Sequence, residues 1–124
     1  MRLSRAAIAA FVAALLGGAA APAQPAAVTC PDMPKALADA FADAADCTLI
    51  ERTLRQVLAT AEPGTITRWT NLRSNVSGTI KLSGAETRDG AVCRRAELAV
   101  TRAGETRRAE TVACLKQGTW VLVE

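Results

Sequence analysis

AVCRRAELAVTRAGETRRAETVACL, residues 91–115, decides how this chain reads. Two runs rich in Val, Thr, Ala and Arg flank Ala103-Gly104, a pair suited to the tight turn of a β-hairpin. A turn there makes Arg102 and Glu105 the closing pair, and counting back brings Cys93 opposite Cys114. That register lands the cysteines on a non-hydrogen-bonded pair, where Cα atoms are close enough for a disulfide. It also sets Val92 against Leu115 and Leu98 against Ala109 on the other face. Its one cost is Glu97 facing Glu110, which Arg95 and Arg108 alongside offset.

Working outward, the same alternation and turn chemistry predict strands over about residues 65–70, 77–82, 91–101, 107–115 and 119–123. Asn71 to Val76, Ser83 to Gly90, Ala103-Gly104 and Gln117-Gly118 separate them. Connections this short imply an antiparallel meander of about five strands. Upstream, Pro63-Gly64 marks a change of composition, and the chain before it is alanine-rich and helical in period. Met33, Leu37, Phe41 and Ala45 recur every four residues, with Asp32 as N-cap and Pro34 in the first turn. A second helix is expected from Thr48, where Thr48-Leu49-Ile50-Glu51 has capping-box form and Ile50, Leu54, Val57, Leu58 and Ala61 share a face. The expected fold class is α+β, with one or two short helices over residues 24–62 preceding the antiparallel sheet of residues 63–124, all in one domain. Trp69 and Trp120 read as core aromatics. Asp39, Asp43 and Asp46 lie opposite the apolar stripe and read as the wet face of the first helix.

Arg2 and Arg5 precede an apolar run from Ala6 to Leu16, about the length of a signal h-region and short of the roughly 20 residues of a membrane span. Ala21-Pro22-Ala23 supplies small residues at the −3 and −1 positions of a signal-peptidase site, so residues 1–23 read as a signal peptide cut before Gln24. Cys30 stands too far past the apolar run to be a lipoprotein cysteine. Export to the periplasm, outer membrane or cell surface is therefore expected. The four cysteines, Cys30, Cys47, Cys93 and Cys114, then face an oxidising compartment and favour disulfides. With Cys93 and Cys114 joined, Cys30 pairs with Cys47 or stays free. That second bridge conflicts with a continuous helix between them, whose ends about 13 residues apart lie some 20 Å from each other.

No histidine and no C-x-x-C occur, which argues against a zinc site, and no metal or cofactor is expected. Without His or Tyr, the usual base and nucleophile pairs have no base, and no catalytic residue is assigned. The net charge of +3 includes Arg2 and Arg5, so residues 24–124 hold 13 basic and 12 acidic side chains, giving +1. A balance so close to neutral does not point to nucleic acid. Arg94, Arg95, Arg107 and Arg108 form a paired basic set on the hairpin, read as exposed and as a surface that could meet an acidic partner. Adjacent arginines on a strand nevertheless point to opposite faces.

Trp69-Thr70-Asn71, Ser77-Gly78, Cys93-Arg94, Ala113-Cys114 and Gly118-Thr119-Trp120 occur in an order and spacing that resembles the C-terminal domain of the seventeen-kilodalton surface antigen family of alphaproteobacterial outer-membrane proteins. The resemblance covers about residues 47–124. It implies a non-catalytic cell-envelope or surface protein, a Cys93–Cys114 bridge, and envelope proteins or the outer membrane as partners. The chain departs from that family in lacking its lipoprotein cysteine and glycine-zipper segment, and the aromatic residue that tends to follow Cys-Arg. The alternative reading is a soluble periplasmic binding or inhibitor module that presents the hairpin arginines.

Overall fold

The computed structural model describes residues 28–123, so the expected signal peptide at residues 1–23 lies outside the described residues. One helix, α1 (Ala44–Thr60), precedes five strands: β1 (Ile66–Asn71), β2 (Val76–Arg88), β3 (Ala91–Arg102), β4 (Glu105–Lys116) and β5 (Thr119–Leu122). The strands form a single antiparallel sheet in chain order, an α+β meander. β3 and β4 pair in the register expected from the turn, with Cys93 opposite Cys114 and Arg102 opposite Glu105. The three tight turns share one chemistry. Asp89-Gly90, Ala103-Gly104 and Gln117-Gly118 all hold φ near +50° and then near +78°. Two positive values in succession twist in the sense of the flanking strands, and glycine meets the second without strain.

β2 is longer than the sequence suggests, because Ser83 to Gly90 is not a loop. Ser83 is a bulge, the register shifting between Leu82 and Gly84, and the strand continues to Arg88. Its polar residues alternate because one face meets water, a pattern that imitates a turn.

The first expected helix is replaced by a short 3-10 turn at Lys35–Leu37. Asp39 adopts φ 65°, a left-handed conformation that ends any helix there. Phe41 instead pairs with Val28, whose N–H donates to the Phe41 carbonyl at 2.9 Å. Asp32 also has positive φ and caps nothing, Pro34 standing at the start of the 3-10 turn. Breaking the helix lets Cys30 reach Cys47, and the two are bridged with Cα atoms 5.3 Å apart. The second helix begins at Ala44 rather than after Thr48. Its capping box is Asp43 with Asp46, and Thr48 sits inside the first turns with its hydroxyl on the Ala44 carbonyl.

α1 buries Ile50, Leu54, Val57 and Leu58 against one face of the sheet. Ile80, Leu82, Ala96, Leu98 and Val100 meet them there, and Leu37 and Phe41 complete the core. Each buried aliphatic side chain of this size stabilises by about 1.5–3 kcal/mol. On the opposite face Cys93, Cys114 and Val112 make a second, smaller cluster around the Cys93–Cys114 bridge.

Candidate binding surface

The hairpin arginines are divided by the pleat. Arg94 and Arg107 stand on the helix side, whereas Arg95 and Arg108 stand on the outer face. Arg94 donates to the Leu58 carbonyl at 2.6 Å and to the Ala61 carbonyl at 3.3 Å, satisfying groups that the C-terminus of α1 leaves unpaired. Its guanidinium also lies 5.9 Å from the Trp120 ring centroid, within cation–π range. Arg107 donates to the Ala38 carbonyl at 2.6 Å. Arg95 pairs with Glu110 at 2.5 Å and Glu86 at 2.7 Å, and Arg88 reaches Glu86 at 2.6 Å. The hydrogen bond to Glu110, then that to Glu86, raises the pKa of Arg95, while Arg88 lowers that of Glu86. Arg94, Arg95 and Arg107 are thus half-buried and bound within the fold, and Arg108 alone of the four is exposed. The expected pairing of Glu97 with Glu110 is present, but its relief comes from Arg95 on Glu110 and from Lys81, 4.0 Å from Glu97.

Several conspicuous sequence features turn out to be structural. Trp69 is buried at 4 % exposure directly opposite Gly78, and a Cβ on Gly78 would lie 2.6 Å from the indole ring and against the Ala99 carbonyl oxygen. Gly78 is therefore the space the ring occupies. Asp46 is fully buried rather than on a wet helix face. Its carboxylate accepts from the Ala42 and Asp43 N–H groups at 2.8 and 3.0 Å, from Asn71 at 2.7 Å and from the Ser74 hydroxyl at 2.6 Å. Burial opposes its ionisation, but the bond from Ser74 and those from Ala42, Asp43 and Asn71 outweigh it and hold the pKa below the ordinary Asp value. Asp46 so pins the start of α1 to the β1–β2 turn. Asp43 caps the helix and Asp39 lies before it, so the three acids share no face.

Among the described residues no strand pairs with the outer edge of β5. The Gln117-Gly118 turn makes Lys116 and Thr119 a hydrogen-bonded pair, after which bonded and non-bonded pairs alternate. Val123 donates to the Val112 carbonyl at 2.8 Å, as that alternation requires. Trp120 and Leu122 fall on the non-bonded positions, so their backbone N–H and C=O groups point away from β4. Beside this edge runs a groove of about 520 Å³ whose apolar lining includes Met33, Leu54, Leu58, Trp120 and Leu122. On the other face of the strand Val121 and Val123 are 41 % and 37 % exposed. β5 thus offers backbone hydrogen bonds along one line and apolar contact on both sides, and it carries no charged residue within Thr119–Leu122.

No known family model, curated protein or solved structure matches the chain. No helix among the described residues is long and apolar enough to cross a membrane. The described residues also contain no group of three or more His, Cys, Asp or Glu side chains placed to hold a metal. The β5 edge is a surface feature that sequence reading passed over. The signal was present in Gln117-Gly118, because a two-residue turn fixes which backbone groups of the next strand face outward.

Proposed function

We propose that this protein is a non-catalytic, exported cell-envelope module that binds an extended segment of another envelope protein along β5. The observation that carries the reading is the open edge with its groove: outward N–H and C=O groups at Trp120 and Leu122 beside an apolar trough. Strand addition uses this combination, main-chain bonds supplying affinity and side-chain pockets supplying selectivity. Two closed disulfides suit an oxidising compartment, and the leader at residues 1–23 suits export. The resemblance of residues 47–124 to the surface antigen family points to the same compartment. Presentation of the hairpin arginines is the weaker alternative, since Arg94, Arg95 and Arg107 already have partners inside the fold.

A photo-crosslinking residue placed at Val121 or at Ile66, in the full chain expressed with its leader, tests the proposal. The expected result is a processed chain beginning at Gln24 in the envelope fraction, with a discrete adduct from Val121 and none from Ile66. An unprocessed chain with reduced cysteines in the cytoplasm overturns the export part. Equal labelling from both edges, or none from either, overturns the binding surface.

A further inference from the structure

The outer face of the sheet, opposite α1, carries two adjacent cross-strand rows of complementary chemistry. In one, Thr70, Ser77, Thr101 and Thr106 lie side by side on β1, β2, β3 and β4, a ladder of four hydroxyls. In the next, Arg68 and Arg108 stand at the two ends with Thr79 and Ala99 between them. Three strand spacings of about 4.8 Å put the two arginine Cα atoms about 14 Å apart. Only the short Thr79 and Ala99 side chains stand between the two arginines in this row. These rows line a shallow depression of about 280 Å³, and no carboxylate lines it. The acids of the neighbouring row are already paired, Glu110 with Arg95 and Glu97 with Lys81. Both Arg68 and Arg108 are exposed, and the Thr101 and Thr106 hydroxyls lie 2.7 Å apart.

We infer that this depression is a binding site for a phosphate-bearing sugar. Guanidinium forks match the oxygens of a phosphate in pairs, and two of them converging from opposite ends favour a doubly charged oxyanion over a carboxylate. The hydroxyl ladder supplies donors and acceptors for a polyol at the side of the phosphate, each hydroxyl able to do either. The depression is polar and close to the low end of the roughly 300–1,000 Å³ spanned by small-molecule sites, which fits one phosphorylated monosaccharide. It lies on the opposite face from the β5 groove and does not depend on it.

Amide chemical-shift titration of the full mature chain with glucose 6-phosphate, glucose and inorganic phosphate tests the inference. Glucose 6-phosphate is expected to give saturable shifts centred on Thr79, Ala99 and Thr101, with a Kd about tenfold or more below that for inorganic phosphate. Glucose alone gives no saturable shift. Arg68→Gln and Arg108→Gln each weaken binding about tenfold, the loss expected on removing one charge-assisted pair. Arg52→Gln, which removes an equal charge from exposed helix surface, leaves it unchanged, and the spectra themselves report that each variant is folded. Inorganic phosphate binding as tightly as the sugar phosphate overturns the sugar assignment. Non-saturating shifts with both, or an equal loss in Arg52→Gln, overturn the site.

Discussion

The two edges of this sheet are closed to different degrees. β1 is anchored from within: Trp69 fills the space over Gly78, Asn71 donates to buried Asp46, and just before the strand the Gly64 N–H donates to the Leu82 carbonyl at 2.7 Å. It also presents Arg68 to solvent, a charge of the kind that discourages another strand from pairing there. β5 is held by four residue pairs with β4, by the contact of Trp120 with Arg94 and by the half-buried Trp120 and Leu122 packed against the core, and its other face presents Val121 to solvent. Within Thr119–Leu122 no charged side chain blocks the edge of β5, and under the proposed function this is the edge that another strand meets.

The largest effect should come from the closed edge. Trp69→Ala empties a fully packed site and is expected to destabilise by about 3–5 kcal/mol, read as a shift in the urea midpoint. If the loss were below about 1 kcal/mol, the β1 side would not be the more firmly held one. Next, replacing both Cys93 and Cys114 by Ala opens a loop spanning 21 residues, which the chain-entropy model values at roughly 3 kcal/mol. Calorimetry of the double variant measures it, and a loss confined to the β5 hairpin in hydrogen exchange would sharpen the contrast.

A smaller change is expected from Asp46→Asn, which weakens the link between α1 and the β1–β2 turn by about 1–3 kcal/mol at neutral pH. Since the folded pKa of Asp46 is lowered, its ionised form stabilises the fold above the ordinary Asp value of about 3.9 and that stabilisation is lost as pH falls through the folded value. Wild type and variant should therefore differ in stability at pH 7 and converge as pH drops below about 4. A difference independent of pH would mean that the carboxylate is not the anchor. The smallest stability effect belongs to the open edge: Val121→Lys should change folding free energy by no more than about 0.5 kcal/mol. It should still abolish the adduct formed from a photo-crosslinking residue at the neighbouring exposed position Val123, and a large destabilisation would show that β5 is part of the core.

The meander and its central hairpin were legible because short-range rules govern them. Ala103-Gly104 sets a register, and a register carries through every residue of two strands, Cys93 and Cys114 included. What could not be read was what depends on distant partners. The four-residue spacing of Met33, Leu37, Phe41 and Ala45 imitates a helix, yet Leu37 and Phe41 are buried from a 3-10 turn and an isolated bridge, held there by the Cys30–Cys47 link. Asp46 looked solvated because Asn71 and Ser74, which satisfy it, are more than 20 residues away. Arg94 looked like a surface charge because the carbonyls it caps belong to another element. In the last two cases a polar residue was misjudged, since its environment is decided by tertiary contacts that periodicity does not encode.

The two disulfides also have a consequence for how the chain is made. Each cysteine is joined to the next one along the sequence, Cys30 to Cys47 and Cys93 to Cys114, over separations of 17 and 21 residues. Four cysteines allow three pairings, and this is the one in which the partner of each first cysteine is the first thiol to follow it. For a chain threaded across a membrane from its N-terminus, oxidation in order of emergence gives the native pairing directly. No wrong bridge then has to be broken, and maturation calls for an oxidant but not for an isomerase.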